Sequence, residues 1–306
     1  MGSGVSSEIV ALSKDVKFDK DGKRKNALAT LSELTDNVDY KAQMSSWELG
    51  LIKELAVVIK EDEGYCRVLA CNCLIALSMD EAAKKNILDP RLDIIEVLIY
   101  TVEYKCLTES KIINEDLLRA IIVTISNCSS FGGVQNHLYS SQFDILSLVK
   151  KLLCISSNEI LKIAIQILSG SFKFPDSSSL VPLFITKRIP ESVIAVLEKS
   201  IDDSEAWGGN AYGDWCITFF MRFCFHRDAS LYVKSIDGIQ QVLQSVENCL
   251  TSESDKIEYF LMTTLIYGRD EEVNDRKESV LQVYIVSSML NICIAFRPIN
   301  HFLETS

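Results

Sequence analysis

The chain alternates between stretches with a one-sided apolar stripe and stretches that are apolar nearly all round, with short polar breaks between them. In "RKNALATLSELTDNV", Ala27, Leu28, Leu31 and Leu34 recur at spacings of three and four, the signature of one helical face. In "SSWELGLIKELAVVIK", Ser45 or Ser46 is placed to cap a helix whose buried face is Leu51, Ile52, Leu55, Val58 and Ile59. The charged turn "EDEG" stops it. "YCRVLACNCLIALSMD" then resumes with few polar positions on any side, the pattern of a helix enclosed by neighbours.

The same order recurs down the chain. Amphipathic helices are predicted in "GLIKELAVVI", "LDIIEVLIYTV", "FDILSLVKKLL", "ESVIAVLEKSI" and "GIQQVLQSVENCL", starting at residues 50, 92, 143, 191 and 238. Each is paired with a more apolar one: "RVLACNCLIALS", "LLRAIIVTISNCS", "ILKIAIQILSGS", "DWCITFFMRFCF" and "VLQVYIVSSMLNICIAF". Self-similarity at roughly 40 to 50 residues is the mark of a helical repeat array, in which no single unit can bury its own apolar surface and neighbours stack into a continuous core.

At this point the chain resembles the armadillo-repeat family. Gly50, Ile52, Leu55, Ala56, Val58 and Ile59 match that family's pattern of glycine followed by spaced apolar residues, and "CLIALS" stands where its next helix ends. Gly238, Ile239, Val242 and Leu243 match in part. The resemblance implies an all-α, right-handed superhelical solenoid of about five repeats over residues 24–306, with longer loops near 91–142 and 143–190. It also implies a concave groove lined by the last helix of each repeat, where an asparagine holds the backbone of an extended peptide. The matching positions are Ala76, Asn127, Gly170, Arg222 and Asn291. One turn earlier, where nuclear-import members carry tryptophan, stand Asn72, Val123, Gln166, Thr218 and Ser287. The scaffold is kept while the tryptophan and asparagine ladder is not. The candidate partner-binding residues are therefore Asn72, Asn127, Gln166, Arg222 and Asn291.

Composition narrows this picture. Five prolines and thirteen glycines in 306 residues disfavour a fold of many short strands, and 48% hydrophobic residues supply a large core. Ten cysteines scattered singly among aliphatic residues suit buried packing in a reducing compartment. No window is apolar for long enough to span a bilayer. A formal charge of −11 argues against a nucleic-acid surface, which needs a basic stripe. Residues 1–25 carry six basic residues against four acidic ones, so a slightly basic leader precedes an acidic body, and acidic stretches such as "DDSE" favour cationic partner segments.

Candidate chemistry fails on spacing. Cys66 and Cys73 share a helical face, but Cys71 lies about 200° from Cys73, so the three thiolates cannot converge on one ion. The "HRD" at 226–228 lacks the asparagine five residues on that a kinase loop needs, for Val233 stands there. Asp19, Asp21 and Gly22 suggest a calcium loop whose first and twelfth positions would be Lys17 and Leu28, which are not ligands. His137, His226 and His301 lie far apart in sequence. "EAWGGNAYGDW" is expected to be a loop pinned by its own rings, or else one that offers them to a partner.

The opening "MGSGVSSEIV" fits M-G-x-x-x-[ST], which makes Gly2 a candidate for N-myristoylation, with an engineered start as the rival reading. A single acyl chain tethers only reversibly. The expectation is thus a flexible leader over 1–23 and a solenoid over 24–306. It is a non-enzymatic, eukaryotic-type, cytoplasmic adaptor with no cofactor and no metal, which binds another protein or an extended peptide and associates peripherally with a membrane. A nuclear-transport-type adaptor for basic peptides and a non-catalytic subunit of an enzyme complex are the alternatives.

Overall fold

The structure is a computed structural model and describes residues 5–18, 22–62, 64–108, 115–130, 138–139, 144–173, 175–208, 211–250 and 253–267. Among them are helices and no strand. The sequence's spacing of apolar residues, with few glycines and prolines to interrupt it, leaves the backbone no better way to satisfy its own polar groups.

Two helices open the array, α1 (Ser7–Phe18) and α2 (Arg24–Leu34). A first repeat follows, with α3 (Val38–Met44), α4 (Leu51–Glu61) and α5 (Tyr65–Leu77). The second holds α6 (Glu81–Ile87), α7 (Ile94–Tyr100, continued as a π-helix over Thr101–Thr108) and α8 (Glu115–Ser129). In the third, α9 (Ile145–Leu152) and α10 (Asn158–Gly170) are described. The fourth comprises α11 (Val181–Thr186), α12 (Ile189–Ile201) and α13 (Tyr212–Phe223). The fifth comprises α14 (Arg227–Lys234), α15 (Ile239–Glu247) and α16 (Glu253–Tyr267).

Stacking is in two parallel rows. The last helices of the units, α2, α5, α8, α10, α13 and α16, pack each against the next, and α1, α4 and α7 form the start of a second row that resumes with α9, α12 and α15. Between the rows runs one apolar core, from Ile9 and Leu28 through Leu55, Leu74, Ile121 and Ile165 to Phe219 and Met262. In the fourth repeat it is aromatic. The Phe172 ring meets Phe184 at 4.8 Å and Phe223 at 5.0 Å, both edge-on, the geometry aromatic quadrupoles favour.

The junctions into α4, α7, α12 and α15 each turn on one left-handed residue, while α9 is entered from Asp144 at φ −80. Gly50 (φ 68) and Gly238 (φ 81) fill it where the sequence carries the repeat's glycine; Asp93 (φ 52) and Arg188 (φ 54) fill it at a steric cost. The same turn corrects the expected N-cap at Ser45 or Ser46. A short 3-10 turn spans Trp47–Leu49, and α4 starts only at Leu51.

Two further expectations change. The leader is not free over its whole length, because Ser7–Phe18 is a helix with Ile9 and Val16 fully buried. Arg24 ties it down, donating to the Val16 carbonyl at 2.7 Å and pairing with Asp62 at 2.9 Å. The helix stacked next on α13 is α16, which the repeat pattern did not single out; "VLQVYIVSSMLNICIAF", residues 280–296, lies outside the described residues.

Candidate peptide-binding groove

Along the α2 to α16 row, exposed and half-buried positions recur as a strip, and the sequence-selected residues that are described, buried Gly170 apart, fall on it. Asn72 is exposed on α5 and Ala76 is half-buried one turn later. Val123 and Asn127 are half-buried on α8, as are Thr218 and Arg222 on α13. On α10, Gln166 is half-buried while Gly170 is buried. Asn291 and Ser287 lie outside the described residues, as does Gly2.

The two rows of positions behave differently. In the later row, side chains reach back to the preceding repeat. Asn127 Nδ2 donates to Ser78 Oγ at 2.8 Å, and Ser78 Oγ donates in turn to the Ile75 carbonyl at 2.6 Å. Arg222 Nη1 donates to the Ser169 carbonyl at 3.2 Å and to Ser169 Oγ at 3.1 Å. Gly170 serves the junction between α8 and α10 by having no side chain, since a Cβ there would sit 2.5 Å from Ser129 Oγ and 3.3 Å from the Ser130 nitrogen. Helix-to-helix register is thus fixed along this row.

The earlier row is less engaged. Among the described residues, the side chains of Asn72 and Gln166 make no hydrogen bond, so their amides keep all their donors and acceptors. Thr218 is used: its hydroxyl donates to the Asp214 carbonyl and to Glu258 Oε2, each at 3.1 Å. Burial pushes the Glu258 carboxyl above its ordinary range against the Thr218 bond; Asp255 and Asp214 push the same way and Arg222 opposes them. The strip is flanked by an exposed Tyr65, under the Lys25 ammonium at 4.9 Å, and by an Arg119–Glu159 pair at 2.8 Å that bridges α8 and α10.

Charge on the strip is mixed. Asp214, Asp255 and Glu258 gather where α13 meets α16. Near the other ends of these helices, burial lowers the Lys173 ammonium, and the charges of Arg222 and Lys84 lower it further. Sequence reasoning missed both groups, since their members are drawn from helices 40 or more residues apart.

The remaining motifs are packing features. Burial pushes the Cys71 and Cys73 thiols up to about 12, leaving them protonated and poorly nucleophilic. His226 precedes α14 with its ring 5.7 Å from Phe172. In the "EAWGGNAYGDW" loop, Trp207 Nε1 donates to the Ser200 carbonyl at 2.7 Å and the Tyr212 hydroxyl to Asp203 at 2.9 Å. A Cβ on Gly213 would lie 2.6 Å from the Ala206 carbonyl, so the loop closes tightly over the start of α13. Gly209 and Asn210 lie outside the described residues.

Paired rows of stacked helices with this strip define an armadillo-type α-solenoid. Solved structures with the same architecture include a designed armadillo repeat protein in complex with the peptide (KR)4, at TM-score 0.67 and 13% identity over 85% of this chain and 100% of that one. An engineered protein superposes at TM-score 0.67 with 16% identity, over 86% of this chain and 98% of that chain. A computationally designed armadillo repeat protein for modular peptide recognition gives 0.66 and 12%, over 84% and 99%. By sequence, the chain matches no family profile and no curated protein.

Proposed function

We propose that the chain is a non-catalytic scaffold that holds an extended peptide segment of a partner protein along the strip formed by α5, α8, α10 and α13. The observation that carries this reading is the pair of unengaged amides, Asn72 and Gln166, which face the strip two repeats apart. An extended peptide exposes backbone donors and acceptors along its length, and primary amides can serve both. The peptide held by a designed protein of the same fold supports the choice of ligand class. The acidic group at Asp214, Asp255 and Glu258 favours a segment with cationic residues at that end.

Titration of a labelled Lys-Arg octapeptide and an uncharged octapeptide into the full chain tests this. Saturable binding of the cationic peptide, weakened by Asn72→Ala with Gln166→Ala, is the expected result. Two lost hydrogen bonds at about 1 kcal/mol each correspond to roughly thirtyfold. Equal binding by wild type and double variant would remove the groove from the account.

The reading also includes a reversible membrane tether at Gly2, supported by the M-G-x-x-x-[ST] pattern alone. Ser6, whose backbone N–H donates to Gln43 Oε1 at 2.8 Å, is already fixed to α3, so such an anchor would hold the solenoid on a short leash. The mass of the N-terminal peptide from cells distinguishes an acylated Gly2 from an unmodified one.

A further inference from the structure

Among the described residues, α16 stacks on one neighbour of its row, α13, whereas α5, α8, α10 and α13 each stack between two. The Thr218–Glu258 hydrogen bond sets its register against α13, so that Ile217 and Phe220 of α13 correspond to Ile257 and Phe260 of α16. Ile217 is 1% exposed and Phe220 0%, with α16 packed alongside α13. In α10 the corresponding Ile165 and Leu168 are both 0% exposed, with α13 alongside. Ile257 and Phe260 are 53% and 62% exposed. A repeat array needs a polar outer face on its terminal repeat to stay soluble. Among the described residues this one ends on an apolar face instead.

We propose that residues 280–296 of the same chain cover that face. The segment is apolar at thirteen of its seventeen positions, including Val283, Ile285, Leu290 and Phe296. It is separated from Tyr267 by twelve residues, "GRDEEVNDRKES", most of them charged and suited to water. Twelve residues reach about 40 Å when extended, and α16 is about 22 Å long, so the segment can return to any point along the helix. A second copy of the chain fits the face less well. Two half-exposed side chains offer on the order of 200 Å² of apolar area, far below the roughly 800 Å² per partner of a stable dimer. One strip of that width suits a single segment.

The test uses the full chain with Phe260 replaced by photoreactive benzoylphenylalanine. Cross-links confined to the monomer band and mapped to 280–296 are expected. Cross-links in a dimer band, at another part of the chain, or absent altogether would overturn the proposal. Amide exchange gives a second reading that tolerates a change in stability. Ile257→Asp with Phe260→Asp should speed exchange across 280–296 at least tenfold while α5 and α8 keep their protection. Unchanged exchange across 280–296 would also overturn it.

Discussion

Asn127 and Arg222 stand one helical turn from positions held by Val123 and Thr218, yet the later row and the earlier row of the groove do different work. Along the later row, Asn127, Gly170 and Arg222 settle how one repeat sits on the next. Along the earlier row, Asn72 and Gln166 leave their amides open to the strip. The difference teaches that position in a repeat does not by itself assign a role. A side chain that reaches a serine on the preceding repeat becomes a tie, and one that falls short stays available for a ligand.

The largest way to break this division is at Gly170. Valine there has to displace Ser129 and the adjacent backbone, and overpacking of this kind costs about 1–3 kcal/mol. Chemical denaturation should show that loss with an unchanged m-value, and a neutral result would mean that the two helices stand farther apart than described. Next come the ties themselves. Arg222→Ala and Asn127→Ala should each lower stability by about 1 kcal/mol, Arg222 the more because its donor is charged.

Glu258 sharpens the comparison through pH. Its carboxyl is raised in the folded state, so folding takes up a proton between the ordinary carboxylate value and the folded value. Stability should therefore fall as pH rises through that window. Glu258→Gln should make the protein more stable at neutral pH, with the gain shrinking toward pH 4. A gain that does not change with pH would show that the carboxyl titrates normally. The smallest expected effect is at the junctions, where Arg188→Gly relieves a left-handed conformation, offset by the loss of an exposed pair with Glu191 at 2.9 Å. A net change within about 0.5 kcal/mol in the melting analysis fits that balance.

Much of the fold was legible because apolar spacing and polar breaks are local signals. Four of the five predicted helix pairs coincide with observed ones, from α4 with α5 to α12 with α13. The fifth shows the limit. "ESDKIEYFLMTTLIY" places Ile257 and Phe260 on its outer side, so its apolar residues do not form a clean stripe, and a more apolar segment downstream reads more strongly. Over Ser7–Phe18 the stripe of Ile9, Leu12 and Val16 was present, but short length and flanking charge masked it. The site was less legible than the fold. Which side chain is tied and which is open depends on serines 49 and 53 residues away, and on a helix-to-helix register that no local pattern encodes.

The most direct test of the two-row account compares two double variants by peptide titration and thermal melting side by side. Asn72→Ala with Gln166→Ala should lose peptide binding with the melting temperature nearly unchanged. Asn127→Ala with Arg222→Ala should melt earlier, while the fraction that remains folded keeps most of its affinity. The reverse pattern, with binding lost in the second pair and stability lost in the first, would contradict the account.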